Sequence, residues 1–247
     1  MNSNKKALLV LFLLVSTSVL IFCAERKFLV AEKRGSGLGR YEKLSWASKI
    51  SLLVEDFEDM HDNKDLEKEK FFTYGGARYE LSKDKIDKDP MAGSTCLKVS
   101  WKPGESFGGW GKGVGENVDL NTETDQLNFR IFIPKSNGGN EFLKVMVEED
   151  DNDDGKLQKD KDDQWAATIA LPANDQWQLV SIPLKDFSDE NEGGDHILNV
   201  TRKGGLHTVI FSLQQPEKYT AQHVWYFDFI FFSSERIDEK ELANTLD

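Results

Sequence analysis

Between residues 50 and 232 the apolar side chains recur at every second position rather than at the three-and-four spacing of a helix. Leu97, Val99 and Trp101 alternate with Lys98 and Ser100. Leu127, Phe129, Ile131 and Ile133 alternate with Asn128, Arg130 and Phe132, and Leu143, Val145 and Val147 alternate with Lys144, Met146 and Glu148. Successive side chains of a strand point to opposite faces, so the first set of each group is expected in a core and the second set outside it. The same pattern predicts strands over residues 52–57, 78–81, 96–101, 127–133, 142–149, 165–171, 178–182, 207–213 and 224–232, separated by Gly, Asp, Asn and Pro. About nine short strands with almost no helical window imply an all-β fold, an antiparallel sandwich or jelly roll.

The outward sets mix polar, charged and greasy groups, which suits either a solvated sheet face or a concave face lining a ligand. In the last strand, Trp225, Phe227, Phe229 and Phe231 alternate with Tyr226, Ile230 and Phe232, so both sides are apolar. Either residues 25–49 or the C-terminal tail covers one side, or an exposed aromatic stripe meets a protein partner.

Lys5 and Lys6 precede an apolar-to-small stretch over residues 7–24, the layout of an export signal. Leu20-Ile21-Phe22-Cys23 resembles a bacterial lipoprotein box, although Phe22 stands where a small residue is preferred. Lipidation at Cys23, cleavage after Ala24 and an uncleaved anchor are three outcomes of this segment. The domain reading is a signal peptide or N-terminal membrane anchor (1–24), a linker (25–49) that includes the spacer Arg34-Gly35-Ser36-Gly37-Leu38-Gly39-Arg40, a β-sandwich (50–233) and a polar C-terminal tail (234–247) with a short helix expected over 238–246. An exported protein of the bacterial cell envelope, or a secreted one, is expected.

Charge narrows the function classes. The chain has 31 basic and 43 acidic side chains and a net charge of −12, which repels a phosphate backbone and argues against nucleic acid. Two cysteines, Cys23 and Cys96, are too few for a disulfide scaffold or a cysteine-rich zinc site. The histidines His61, His196, His207 and His223 fall in no metal-ligand spacing, and no serine lies in a G-x-S-x-G elbow, so the chain is read as not an enzyme. Gly108, Gly109, Gly111, Gly113 and Gly115 lack the helix and lysine of a phosphate loop and are read as a loop of close backbone packing. Trp110 within it is either a platform for a sugar ring or a plug at the end of the sandwich, and Trp101, Trp165 and Trp177 are mostly core.

Four stretches together resemble a known family: Val54-Glu55-Asp56-Phe57-Glu58-Asp59, Phe107-Gly108-Gly109-Trp110-Gly111, Gln176-Trp177-Gln178-Leu179-Val180-Ser181-Ile182-Pro183-Leu184-Lys185-Asp186-Phe187, and Tyr226-Phe227-Asp228-Phe229-Ile230. Their order and spacing resemble the galactose-binding-like jelly rolls, and more narrowly the β-sandwich carbohydrate-binding modules of bacterial glucan-degrading systems and the complex I intermediate-associated protein domain. The resemblance spans residues 50–233. It implies a non-catalytic sandwich with a polysaccharide across a concave sheet face, where Arg130, Lys144 and Glu148 would hydrogen-bond hydroxyls and Trp110 or Tyr74 would stack on a ring. It also implies a structural calcium tying the first strand to the last. Asp56, Glu58 and Asp228 offer the hard oxygens such an ion prefers, while Asp228 could equally be satisfied by backbone donors.

Residues 148–163 hold nine acids against Lys156, Lys159 and Lys161. Asp150, Asn152, Asp154 and Gly155 reproduce the opening of a calcium loop, but Lys161 stands where its bidentate acid belongs, which leaves a solvated hairpin turning at Asp154-Gly155 or a second, weaker ion site. The alternative function is a structural subunit of an envelope assembly, as in the periplasmic flagellar sheath proteins of spirochaetes, with envelope proteins as partners and attachment to the membrane through the N-terminus.

Overall fold

The structure, a computed structural model, describes residues 41, 45–83, 93–116, 120–138, 140–199, 205–214 and 221–243. The export segment, the spacer over residues 34–40 and the end of the tail lie outside the described residues. Among the described residues no helix is long and apolar enough to cross a membrane.

Among the described residues twelve strands form two antiparallel sheets: β1 (Ile50–Glu55), β2 (Phe71–Gly75), β3 (Ala77–Ser82), β4 (Cys96–Trp101), β5 (Phe107–Glu116), β6 (Gln126–Phe132), β7 (Asn140–Glu149), β8 (Gln164–Pro172), β9 (Trp177–Pro183), β10 (Ser188–Asp189), β11 (Leu206–Gln214) and β12 (His223–Ser233). The first sheet runs β3-β4-β12-β6-β9, with β1 also paired to β12; the second runs β10-β8-β7-β11-β5-β2. Among the described residues the helices are α1 (Asn63–Lys68), α2 (Glu239–Ala243) and 3-10 turns, one of them at Ser45–Lys49.

The alternation sorts the two sheets as expected. Leu97, Val99 and Trp101, then Leu127, Phe129, Ile131 and Ile133, then Leu143, Val145 and Val147 are all buried in one core between the sheets. Its centre is aromatic: Trp110 stacks on Phe211 at 4.6 Å and on Phe71 at 5.8 Å, and meets Phe227 edge-on at 5.0 Å. Each of these rings takes a large apolar area out of water, which makes the aromatic cluster a major source of stability.

The last strand departs from simple alternation. Its pairing with β6 slips between Asp228 and Phe231, and Phe229 sits at φ 44°, a left-handed conformation unusual for a bulky side chain. The Phe229 amide donates to Asp228 Oδ1 at 2.7 Å, which pins this bulge. As a result Trp225, Phe227, Ile230 and Phe232 face the main core, whereas Phe229 and Phe231 face away from it. The expected single row from Trp225 to Phe231 is therefore split, because one extra residue inverts every side chain that follows.

A second, smaller core covers the outward pair. Trp46, Ala47, Ile50 and Leu53 on the N-terminal side and Ile237 and Leu242 on the C-terminal side pack with Phe229 and Phe231, and Trp46 meets Phe229 edge-on at 5.5 Å. Lys49 Nζ donates to Glu241 at 2.7 Å and the Ser234 amide donates to the Lys49 carbonyl at 2.8 Å, stitching the two covers together. The packed unit thus reaches into the stretches read as linker and polar tail. Both supply the cover, and the stripe is not left open for a partner.

Candidate functional site

The outer face of the second sheet is built in cross-strand rows. One row sets Tyr74 beside Gly109, Ser212, Lys144 and Thr168; the next sets Phe72 beside Gly111, Ile210, Met146 and Ala166; a third sets Gly113 beside Thr208, Glu148 and Gln164. Phe107, opposite Gln214, and Phe142, opposite Ala170, stand at one end of the same face. The middle row is apolar and its neighbours carry hydroxyl, amide, ammonium and carboxylate groups.

Glycine makes this surface possible. Every outward position of β5 from Gly109 to Gly115 lacks a side chain, so the rings of the edge strand β2 can fold inward across it. A Cβ on Gly111 would fall 2.5 Å from Phe72 Cζ, and one on Gly109 would fall 2.8 Å from Tyr74 Oη. Tyr74 also packs against Met146, Ala166 and Ile210, and meets Phe107 edge-on at 5.6 Å. Phe72, Phe107 and Phe142 are 38%, 55% and 40% exposed, and these three account for most of the large apolar side chains left open to solvent among the described residues. Scattered exposed apolar groups need no explanation, but three aromatics on one face form a patch.

The polar groups around the patch are held in place. Lys144 Nζ pairs with Glu190 at the β10 edge. Glu148 is buried and accepts from Gln164 Nε2 at 2.7 Å; burial pushes its carboxyl above the usual range, against the stabilising hydrogen bond from Gln164. Burial likewise raises the Tyr74 phenol, opposed by a hydrogen bond with Ser212. Beyond Lys144 the face ends in a cleft of about 470 Å³ between β8, β9 and β10, lined by Thr168, Ser181, Asp186, Ser188 and Glu190 among others.

The residues singled out from the sequence divide between this face and other places. Tyr74, Lys144 and Glu148 stand on it together. Trp110 does not: it points to the opposite side of β5, is 0% exposed and is stacked in the core, so it presents no ring to a sugar, and its glycines belong to a strand rather than a loop. Arg130 does not either, because β6 lies in the other sheet; it is buried on that sheet's outer face opposite Asp228, with its guanidinium 3.7 Å from Glu239. Arg130 and Lys144 therefore cannot bind one ligand, since the thickness of the sandwich separates them. No ligand role was expected of Phe72, Phe107 or Phe142, although the run of glycines at every second position was a visible sign that something must lie across that strand.

The residues expected to hold calcium have local roles. Glu58 Oε1 accepts the Ser94 and Thr95 amides at 2.8 and 2.9 Å, and Oε2 accepts the Ser94 hydroxyl at 3.2 Å. Asp56 accepts the Tyr41 hydroxyl and the Glu58 amide, each at 3.2 Å, and Asp228 pins the bulge. Among the described residues, two groups of three carboxylate or imidazole side chains are close enough to share an ion: Glu149, Asp151 and Asp163, and Asp163, Asp189 and His196.

Two antiparallel sheets with an open aromatic face define the class, a β-sandwich binding module, and solved structures of that class superpose on the chain. A family 11 carbohydrate-binding module from Clostridium thermocellum, in complex with a β-1,3-1,4-mixed-linked tetrasaccharide, has a TM-score of 0.50 at 14% identity, covering 75% of this chain and 96% of that one. The same module of the Clostridium thermocellum cellulosomal cellulase Lic26A-Cel5E gives 0.50 at 14%, covering 76% and 96%. An exo-β-agarase gives 0.50 at 13%, covering 76% of this chain but 26% of the enzyme. No curated protein matches the sequence. The model of the family carbohydrate binding domain 30 matches residues 59–231, most of the chain, and the chain belongs to that family. It is a carbohydrate-binding module.

Proposed function

We propose that the module holds a β-linked glucan chain on the outer face of the second sheet and binds it without cleaving it. The observation that carries this reading is the apolar row running from Phe72 through Ile210 and Met146 to Ala166, bordered on both sides by polar rows. A pyranose ring in a β-linked chain has two faces of C–H bonds and a rim of equatorial hydroxyls. Its faces suit the rings of Phe72, Tyr74 and Phe107, and its rim suits Ser212, Lys144 and Thr168 on one side and Thr208, Glu148 and Gln164 on the other. The choice of a glucan over other polysaccharides draws on the mixed-linked tetrasaccharide of the family 11 module, which shares this fold. Lys5 and Lys6 before the apolar stretch over residues 7–24 support export to the cell envelope or beyond, where such polymers are met.

Affinity electrophoresis in gels containing mixed-linkage β-glucan, xylan or galactan tests the reading. Retardation by β-glucan is expected, and Tyr74→Ala and Phe72→Ala should each weaken it about tenfold or more. A parent protein that migrates alike in every gel would overturn it. Arg130, on the other sheet, has no part in the contact.

A further inference from the structure

Glu149, Asp151 and Asp163 place one carboxylate oxygen each so that all three lie within 4.8 Å of one another, and Asp163, Asp189 and His196 form a second such group around the shared Asp163. Oxygens on opposite sides of a calcium ion bound at 2.3–2.6 Å stand about 5 Å apart, so the spacing suits a hard cation. Proximity of acids alone would say little, since many such groups hold nothing. The deciding feature is Asp163. This residue is 0% exposed, and its Oδ1 is buried without accepting a hydrogen bond from any described residue, while Oδ2 accepts the Asp195 amide at 3.2 Å. A buried carboxylate oxygen left in this state costs several kcal/mol unless a cation or donor meets it.

The wall around that oxygen is made of backbone. A Cβ on Gly194, which sits at φ +78°, would fall 2.0 Å from Asp163 Oδ1 and 2.5 Å from Asp151 Oδ2, so both oxygens converge on the one position that carries no side chain. His196 does not fill the gap, since its Nδ1 is engaged with Asp189 Oδ2 at 2.5 Å.

We infer that Glu149, Asp151 and Asp163 form a calcium site that joins the end of β7, the following acidic loop and the segment around Gly194. Carboxylate oxygens with no thiolate nearby favour calcium over softer transition metals. This position differs from that expected from Asp56, Glu58 and Asp228, and it also differs from the calcium-loop opening at Asp150. There the carboxylates are spent on the turn itself, with Asp150 accepting the Asp154 and Gly155 amides at 3.2 and 2.7 Å. The ion would fasten three chain segments: Glu149 Oε1 already accepts the Asn199 amide at 2.5 Å, and the Glu149 amide donates to the Asp163 carbonyl at 3.0 Å.

Thermal melting of the whole chain in chelator and in calcium chloride, with no glycan present, tests the site independently of the glycan reading. At a hundredfold excess over Kd the parent should melt roughly 5 °C higher with calcium than without. Asp163→Asn should abolish that shift and, by removing an uncompensated buried charge, should melt above the parent in chelator. Asp151→Asn, at a half-buried position, should weaken calcium binding at least tenfold in titration calorimetry, whereas Glu58→Gln should keep the parent's calcium affinity. No heat and no shift in the parent, or a calcium response that survives both Asp151→Asn and Asp163→Asn, would overturn the assignment.

Discussion

The ring of Phe72 lies across Gly111, with its Cζ 2.5 Å from the point where an alanine methyl group would stand. The atom in the way is the far end of a side chain rather than backbone. A methyl group there displaces the ring instead of the strand. Gly111→Ala is therefore expected to change stability by about 1 kcal/mol or less while reducing glucan affinity by roughly tenfold, because the platform tilts but the fold remains. Calorimetric titration with a β-glucan oligosaccharide, alongside a denaturant melt, separates the two effects.

Gly109 lies one row away and should respond in the opposite manner. A Cβ there would fall 2.3 Å from the Phe211 carbonyl oxygen and 2.9 Å from Ser212 Cα, both backbone atoms of the neighbouring strand. Gly109→Ala is expected to lower stability by several kcal/mol, since β5 and β11 must part to admit it. A midpoint in urea unchanged from the parent would contradict this packing.

Trp110→Ala removes the ring on which Phe71 and Phe211 stack and should cost about 3–5 kcal/mol. The fraction that remains folded should bind glucan as the parent does, because the ring faces away from the ligand surface. The measurement is affinity at a temperature where circular dichroism shows the variant folded.

Stability should fall on mild acidification through His223. Burial holds its imidazole at about 4, below the usual 6.5, and Nδ1 lies 3.1 Å from Glu141 Oε1 in an equally buried setting. A group whose folded pKa lies below its unfolded value leaves stability intact above pH 6.5. Between about 6.5 and 4 the unfolded chain takes up a proton that the folded chain refuses, and stability is lost across that window. Between pH 7 and pH 4 the melting temperature of the parent should fall more steeply than that of His223→Gln, which lacks the titrating imidazole.

The alternating strands β4, β6 and β7 were legible because each presents a clean apolar face to the core, and period two leaves little choice of register. The pattern could say in or out, but not which sheet. That is why Arg130 and Lys144, both outward, read as one surface although they lie on opposite sides of the sandwich. Strand β5 was hidden by its own composition: with glycine at alternate positions it lacks the contrast between faces that marks a strand, and Trp110 reads as a loop residue. The bulge at Phe229 was hidden because β12 is apolar throughout, so a one-residue slip left no trace in hydropathy.

The stitching of Lys49 to Glu241 has a consequence for how the module is carried. The Ser45–Lys49 turn and α2 both lie on the outer face of the first sheet, on the far side from the Phe72 platform. Both elements therefore sit at the back of the protein. The proposed binding face at the front is left clear, much as a stamp whose handle rises from the opposite side can be pressed to paper.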